Sequence, residues 1–203
     1  MPLPGFTHLN GNIFAAVDVE TTGRDPSYHE IIQIGIQPLD SQLEPMKDVS
    51  PFYHTIKPEY PERADSKATA VHNLDVDYLY LHAPTQWLVA DWLDEWWSNL
   101  NLPHKKTLVP IAQNWQYEAG FLKAWLGLES FDQFFFWAAR DTMLTAVYLN
   151  DISYVRCRPI PFPNVGLSAL CKRLGVENEN PHDALADARA EAKIYKELLA
   201  FNV

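Results

Sequence analysis

Two acids stand two residues apart in the segment Asp18-Val19-Glu20-Thr21-Thr22-Gly23. On an extended chain such residues project from one face, so Asp18 and Glu20 point together while Val17 and Val19 point the other way. Carboxylates side by side repel, and at least one stays protonated unless a cation lies between them. Hard divalent cations take oxygen ligands of this kind. Far along the chain, His182-Asp183-Ala184-Leu185-Ala186-Asp187 sets an imidazole five residues before a third acid. Asp183 suits a helix N-cap, with Asp187 one turn inside and His182 just outside. Between the two, Asn114 and Glu118 sit where a strand end leads into a helix, a position at which mixed sheets present ligands. Taken singly, each segment also reads plainly: a solvated strand end, a capped helix, a strand-to-helix turn.

The elements that must position these residues follow from hydrophobic spacing. Residues 13–20 read as a largely buried strand ending in two acids, and 31–37 alternate with the period of a strand. Residues 52–57, between Pro51 and Pro58, are a third strand, completing an antiparallel meander. Over 85–100 the apolar residues Leu88, Trp92 and Trp96 stand four apart, which makes an amphipathic helix. That spacing suits packing better than stacking on bases. A strand over 107–112, a helix over 118–126, an aromatic strand over 134–137 and a helix over 141–149 come next. A Pro-rich connection spans 151–165, and helices over 167–174, capped by Gly175, and 184–200 close the chain. Three strands followed by alternating helix and strand make an α/β fold, a mixed sheet with helices on its faces.

Composition narrows the function classes. The 203 residues fit one domain, with its core over about 13–200. Hydrophobic residues are 47% and charged residues 21% of the chain, the balance of a globular protein. No apolar run approaches the ~18 residues of a membrane span, no secretory leader is evident, and two cysteines are too few for a disulfide framework. These features lead us to expect a soluble, cytoplasmic protein with no membrane partner. With 16 Lys plus Arg against 26 Asp plus Glu, the net charge of −10 taken alone argues against a nucleic-acid partner, because phosphate contacts need Lys and Arg.

Taken together, the three motifs carry more than they do singly. Asp-Val-Glu-Thr-Thr-Gly over 18–23, Asn114-x-x-Tyr117-Glu118 and His182-x-x-x-x-Asp187, in that order, resemble the DEDDh 3′–5′ exonucleases, the DnaQ-like family that includes the proofreading subunit of bacterial replicative polymerase. Asp25-Pro26, Glu30-Ile31-Ile32-Gln33-Ile34-Gly35, the segment Ala70-Val71-His72-Asn73-Leu74, Arg140-Asp141-Thr142 and the stretch 167–175 also resemble segments of that family.

The resemblance implies a ribonuclease-H-like mixed five-stranded sheet flanked by helices and a two-metal phosphodiester hydrolysis with Mg²⁺ or Mn²⁺. Asp18, Glu20, Glu118 and Asp187 would hold the ions, and His182 would be the general base, imidazole being the side chain that exchanges protons near neutral pH. Thr21, Thr22, His72, Asn114 and Arg158 would contact the substrate, a single-stranded or frayed 3′ end of a nucleic acid, with nucleoside 5′-monophosphates as products. DNA is favoured, because Glu-Thr-Thr-Gly resembles the proofreading and repair branch more than the Glu-Met-Thr-Gly common among oligoribonucleases. An RNA-specific exoribonuclease and a catalytically weakened binding scaffold are the alternatives, and a polymerase or other protein partner is compatible with either. The chain departs from the family where Glu118 replaces the usual Asp, Gln113 a frequent His, and Asn73 a Gly. Asn tolerates positive φ, so the turn at 73 is expected to survive.

Overall fold

The computed structural model describes residues 11–202; residues 1–10 and 203 of the expected domain lie outside it. Strands β1 (Ile13–Thr21), β2 (Ile31–Leu39), β3 (Phe52–Thr55), β4 (Leu108–Ala112) and β5 (Arg140–Asp141) form one sheet in the order β3-β2-β1-β4-β5. Strand β2 runs antiparallel to both β1 and β3, whereas β4 runs parallel to both β1 and β5. This is the mixed five-stranded sheet expected from the sequence.

The alternation along β1 decides which face carries chemistry. Ile13, Ala15, Val17 and Val19 enter a core with Ile34, Ile36 and Phe52, with Val89 and Leu93 of α3 (Gln86–Asn99), and with Phe121 and Leu122 of α4 (Trp115–Phe134). Phe14 and Ala16 enter the opposite core with Val109, Ile111 and, from α7 (Ala184–Ala200), Ala188, Ala192 and Tyr195. A period of two then places Asp18 and Glu20 on the α7 face. Small residues let α7 lie close to the sheet. Gly35, paired with Asp18 across the ladder, is the tightest point, since a Cβ there would lie 2.6 Å from the Ala184 carbonyl and Leu185 N.

The remaining helices are α1 (Ser66–His72), α2 (Val76–His82), α5 (Thr142–Val155) and α6 (Leu167–Leu174). The sequence reading had no helices at α1 and α2. Asp65 and Asp75 cap them, accepting the N–H of Lys67 and Tyr78. Asn73 ends α1 in the left-handed region at φ 56°, as expected of a residue replacing Gly, and Gly175 caps α6 at φ 70°.

Two expected boundaries are corrected. The aromatic segment 134–137 is not a strand. The α4 helix continues through Phe134, broken at Gly127 (φ 76°), because Phe131, Phe134 and Phe135 recur at helical spacing against Trp115 and Trp97. Phe135 makes only a single parallel bridge to Leu108, and the edge strand falls later, at β5. The α5 helix runs six residues past the expected 149, so the Pro-rich connection starts after Val155. On α3, Trp92 and Trp96 pack against His54 and Phe52, and Trp97 against Phe134, as helix packing predicted, while Trp87 is exposed.

Candidate active site

The cleft between the end of β1, the first turn of α4 and the start of α7 is lined by Asp18, Glu20, Tyr117, Glu118, Asn178, His182 and Asp187. All five residues expected to act in catalysis therefore meet, although they come from three distant segments. Potential ligand atoms of Glu20, His182 and Asp187 lie within 4.8 Å of one another.

Local structure explains how each is held. Asp183 caps α7 by accepting Ala186 N–H. Its other oxygen accepts the Tyr53 hydroxyl, which in turn accepts Gln33 Nε2 at 3.1 Å, and Gln33 Oε1 takes Ala184 N–H at 2.9 Å. The β2–β3 edge thus clamps the entry to α7. Immediately before the cap, His182 has φ 68°, and its N–H donates to Asp187 Oδ2 at 3.1 Å. Asp187 Oδ1 accepts Asn178 Nδ2. The His182 side chain is exposed at the mouth of the cleft, whereas Asp187 and Glu118 are buried.

The carboxyls are electrostatically strained. Burial first, then Glu118, Glu20 and Asp187, pushes the Asp18 carboxyl well above the usual carboxylate range. Burial and then Asp187 and Asp183 push Glu20 up to about 8. Glu118 is raised well above its ordinary value, by burial first and against its own backbone N–H bond, with Asp141 adding. Asp187 is raised by burial, partly offset by Asn178 and His182. Glu118 Oε2 is also buried with no hydrogen-bond partner. Oxygen donors so crowded, one of them orphaned, fit divalent cations, which remove the repulsion that otherwise keeps them protonated.

The expected substrate residues separate. Thr21 Oγ1 donates to Gly23 O at 2.6 Å and lies 2.6 Å from the Tyr117 hydroxyl. With Glu20, His72, Lys67 and Arg24, it lines a second depression adjoining the cleft. His72 is buried there at the end of α1, its Nδ1 accepting Leu74 N–H at 3.0 Å. Thr22 is fully buried and its hydroxyl accepts Glu30 N–H at 2.9 Å, so its side chain fastens the turn after β1. Asn114 stands at the head of α4 in the left-handed region (φ 67°) without capping it; Asp141 caps instead, accepting Trp115 N–H at 2.8 Å. Arg158 is exposed beyond α5 and lines neither depression.

Three features were missed in the sequence. The Tyr117 hydroxyl bonds to the first motif, Tyr53 with Gln33 anchors the α7 cap, and a further acid, the fully buried Glu191, lies one turn beyond Asp187. The four-residue spacing from Asp187 was the one available signal for Glu191.

Comparison with known proteins agrees with this geometry. Residues 15–195 match the profile of the exonuclease family that includes ribonuclease T. The chain belongs to this family. The resemblance drawn from the motifs is thereby borne out, and the protein is an exonuclease-type enzyme. It is 25% identical over 185 residues to the 3′–5′ DNA exonuclease Cap18 of Escherichia coli, covering 91% of this chain and 90% of that one. Its fold is similar to Exonuclease I of Methylocaldum szegediense (TM-score 0.70, 18% identity, 93% of this chain) and to the zinc-bound complex of E. coli Exonuclease I with single-stranded DNA (TM-score 0.68, 19% identity, 93% of this chain). The chain spans only 40% and 41% of those two proteins. A 3′-exonuclease that recognises a histone mRNA stem-loop is similar at TM-score 0.67 and 18% identity, over 93% of this chain and 63% of that one. The ribonuclease-H-like exonuclease fold is thus the fold of this chain. Among the described residues, no helix is long and apolar enough to cross a membrane.

Proposed function

We propose that the protein is a divalent-cation-dependent exonuclease that removes nucleoside 5′-monophosphates one at a time from single-stranded or frayed 3′ ends, DNA in preference to RNA. The observation that carries this reading is the convergence of Asp18, Glu20, Glu118 and Asp187 with one exposed histidine in a single cleft. Asp18, Glu20, Glu118 and Asp187 would hold Mg²⁺ or Mn²⁺, which, when bound, supplies the positive charge that stabilises the phosphoryl transition state and the leaving 3′-oxygen. His182, exposed beside that cluster, takes a proton from the water that attacks phosphorus as the P–O3′ bond breaks, and can return it to the leaving oxygen. The neighbouring depression, with Thr21, His72 and the cations Arg24 and Lys67, suits the terminal nucleotide. Asn114, at the head of α4, and Arg158, exposed beyond α5, are assigned to the strand upstream as part of this reading.

The preference for DNA is supported by the named activity of the E. coli relative and by the single-stranded DNA in the Exonuclease I complex. The RNA alternative is supported by the similar 3′-exonuclease of histone mRNA. Free Cys157 and Cys171 fit a reducing compartment, so we place the enzyme in the cytoplasm, with a polymerase or another protein as its partner where processivity is needed. Matched 5′-labelled DNA and RNA oligonucleotides, incubated with Mg²⁺ or Mn²⁺ beside Asp18→Ala, test the reading. Stepwise shortening of DNA that is lost in the variant is expected. Digestion unchanged in the variant, or absent from wild type in both metals, refutes it.

A further inference from the structure

Glu191 is fully buried, a costly place for an acid unless something compensates its charge. It lies on α7 four residues after Asp187, on the same helix face. Its Oε1 accepts the backbone N–H of Gln113 at 3.0 Å, at the end of β4, the strand next to Asp18 on β1. Its Oε2 is buried and has no hydrogen-bond partner, as is true of Glu118 Oε2. After burial itself, the charges that act on the Glu191 carboxyl are Asp18, then Glu118, and finally Asp187. Among the described residues no ion pair joins Glu191 to a basic side chain. The Gln113 side chain is engaged elsewhere, its Nε2 donating to Val165 O at 2.7 Å and its Oε1 accepting Thr142 Oγ1, and it makes no bond to Oε2.

We propose that Glu191 is a fifth acid of the cation site: it pins the end of β4 through one oxygen and turns the other, with its charge, toward the ions gathered by Asp18 and Glu118. The proposal rests on the metal-dependent reading above and extends it to a positioning residue that none of the three motifs contains. Four ionised carboxylates carry −4, which two divalent cations cancel, and Glu191 adds one further negative charge behind them. Ion binding is then tightened at the expense of a metal-free state that must contain five crowded acids.

Mn²⁺ titration by calorimetry and thermal melting of the full chain, with and without Mn²⁺, decide the matter. Wild type, E191Q, E191M and D18A are compared. Gln keeps the acceptor for Gln113 N–H and removes the charge, whereas Met removes both. We expect the metal-free E191Q protein to melt at or above wild type, to gain less from Mn²⁺, and to bind Mn²⁺ on the order of 10-fold more weakly, the loss typical of outer-sphere support. The Mn²⁺ requirement for nuclease activity rises in parallel with the loss of affinity. E191M follows E191Q in Mn²⁺ affinity if the charge is what matters. Wild-type Mn²⁺ affinity in E191Q, with affinity lost in D18A, overturns the role of Glu191 and leaves the cation site standing. A lower melting temperature of both metal-free Glu191 variants also overturns it, since the acid would then serve the fold with no ion present. Wild type that binds no Mn²⁺ overturns both readings.

Discussion

Removing divalent cations makes the protein less stable as pH rises from about 4 to about 8, the reverse of the usual behaviour of salt-bridged acids. The Glu20 carboxyl is pushed from 4.5 up to about 8, by burial first and then by Asp187 and Asp183. Between those values the folded protein retains a proton that the unfolded chain has released. The unfolded state is therefore favoured by ~1.4 kcal/mol per pH unit for each such group. The Glu20 contribution is most favourable below about pH 4, where both states are protonated, and its loss is complete above about pH 8. A shift of roughly 3.5 units would give on the order of 5 kcal/mol, but Glu20 is partly exposed at the cleft, so screening brings its share to roughly 1–3 kcal/mol. Burial of Asp18 and Glu118 acts with the same sign. For a chain of this size, ~2 kcal/mol lowers Tm by roughly 4–8 °C. The assay is thermal melting in EDTA from about pH 5 to about pH 8, repeated with saturating Mg²⁺ and with Glu20→Gln. Tm is expected to fall with pH in EDTA, to fall less in the Gln variant, and to recover with Mg²⁺ most at the alkaline end. A melting temperature in EDTA that is flat or rises over that range, with the Gln variant parallel to wild type, would refute the reasoning.

Tyr53→Phe removes the hydroxyl that links Gln33 to Asp183, so it is expected to cost roughly 1–2 kcal/mol and to lower kcat several-fold at unchanged KM, because His182 adjoins the loosened cap. Melting and steady-state kinetics check this, and a lower Tm with kcat unmoved would detach Tyr53 from catalysis. Glu118→Asp withdraws a buried carboxyl by about one C–C bond at a site where Mg²⁺ demands near-ideal geometry, so the ratio of Mg²⁺ to Mn²⁺ rates is expected to change, and the same ratio in both proteins would count against direct or water-linked contact with the ions. Arg158→Ala is expected to raise KM and to flatten the log–log salt dependence by ~0.7, the loss of one contact to a single strand, and an unaltered slope removes Arg158 from the substrate path.

What was legible in the sequence was whatever is encoded in side-chain type and short spacing. Asp18 and Glu20 two apart on a strand, and Asp187 one turn inside a capped helix, needed no knowledge of the packing to be assigned a common chemistry. The β1 alternation also fixed the face on which they meet α7. The run Phe134-Phe135-Phe136-Trp137 was misread because a short apolar stretch serves a strand and a buried helix end equally well. Only the contacts of Phe131, Phe134 and Phe135 with Trp97 and Trp115 decide between them. The α1 and α2 helices span two turns each, too few for a period to show, and their Asp caps were the sole signal. Glu191 lay hidden for a different reason. In Ala-Arg-Ala-Glu-Ala-Lys an acid looks like part of a solvated helix face until α7 is seen to bury that face against β1 and β4.

The net charge of −10 also acquires a spatial meaning. It argued against nucleic acid on the view that phosphate contact scales with Lys and Arg. Yet five of the acids, Asp18, Glu20, Glu118, Asp187 and Glu191, act on one another at or behind one cleft, where the proposed cations, rather than basic side chains, would relieve their repulsion. Beside the cleft, the depression lined by His72 and Thr21 carries the exposed cations Arg24 and Lys67. On the proposed reading, attraction for phosphate centres on the cations and on this depression, with Arg158 as an outlying contact. Such a distribution would favour the end of a chain over its middle and a frayed strand over a duplex, as the proposed function requires. On that reading, the acidity that first spoke against a nucleic-acid substrate would confine the enzyme to the strand's terminus.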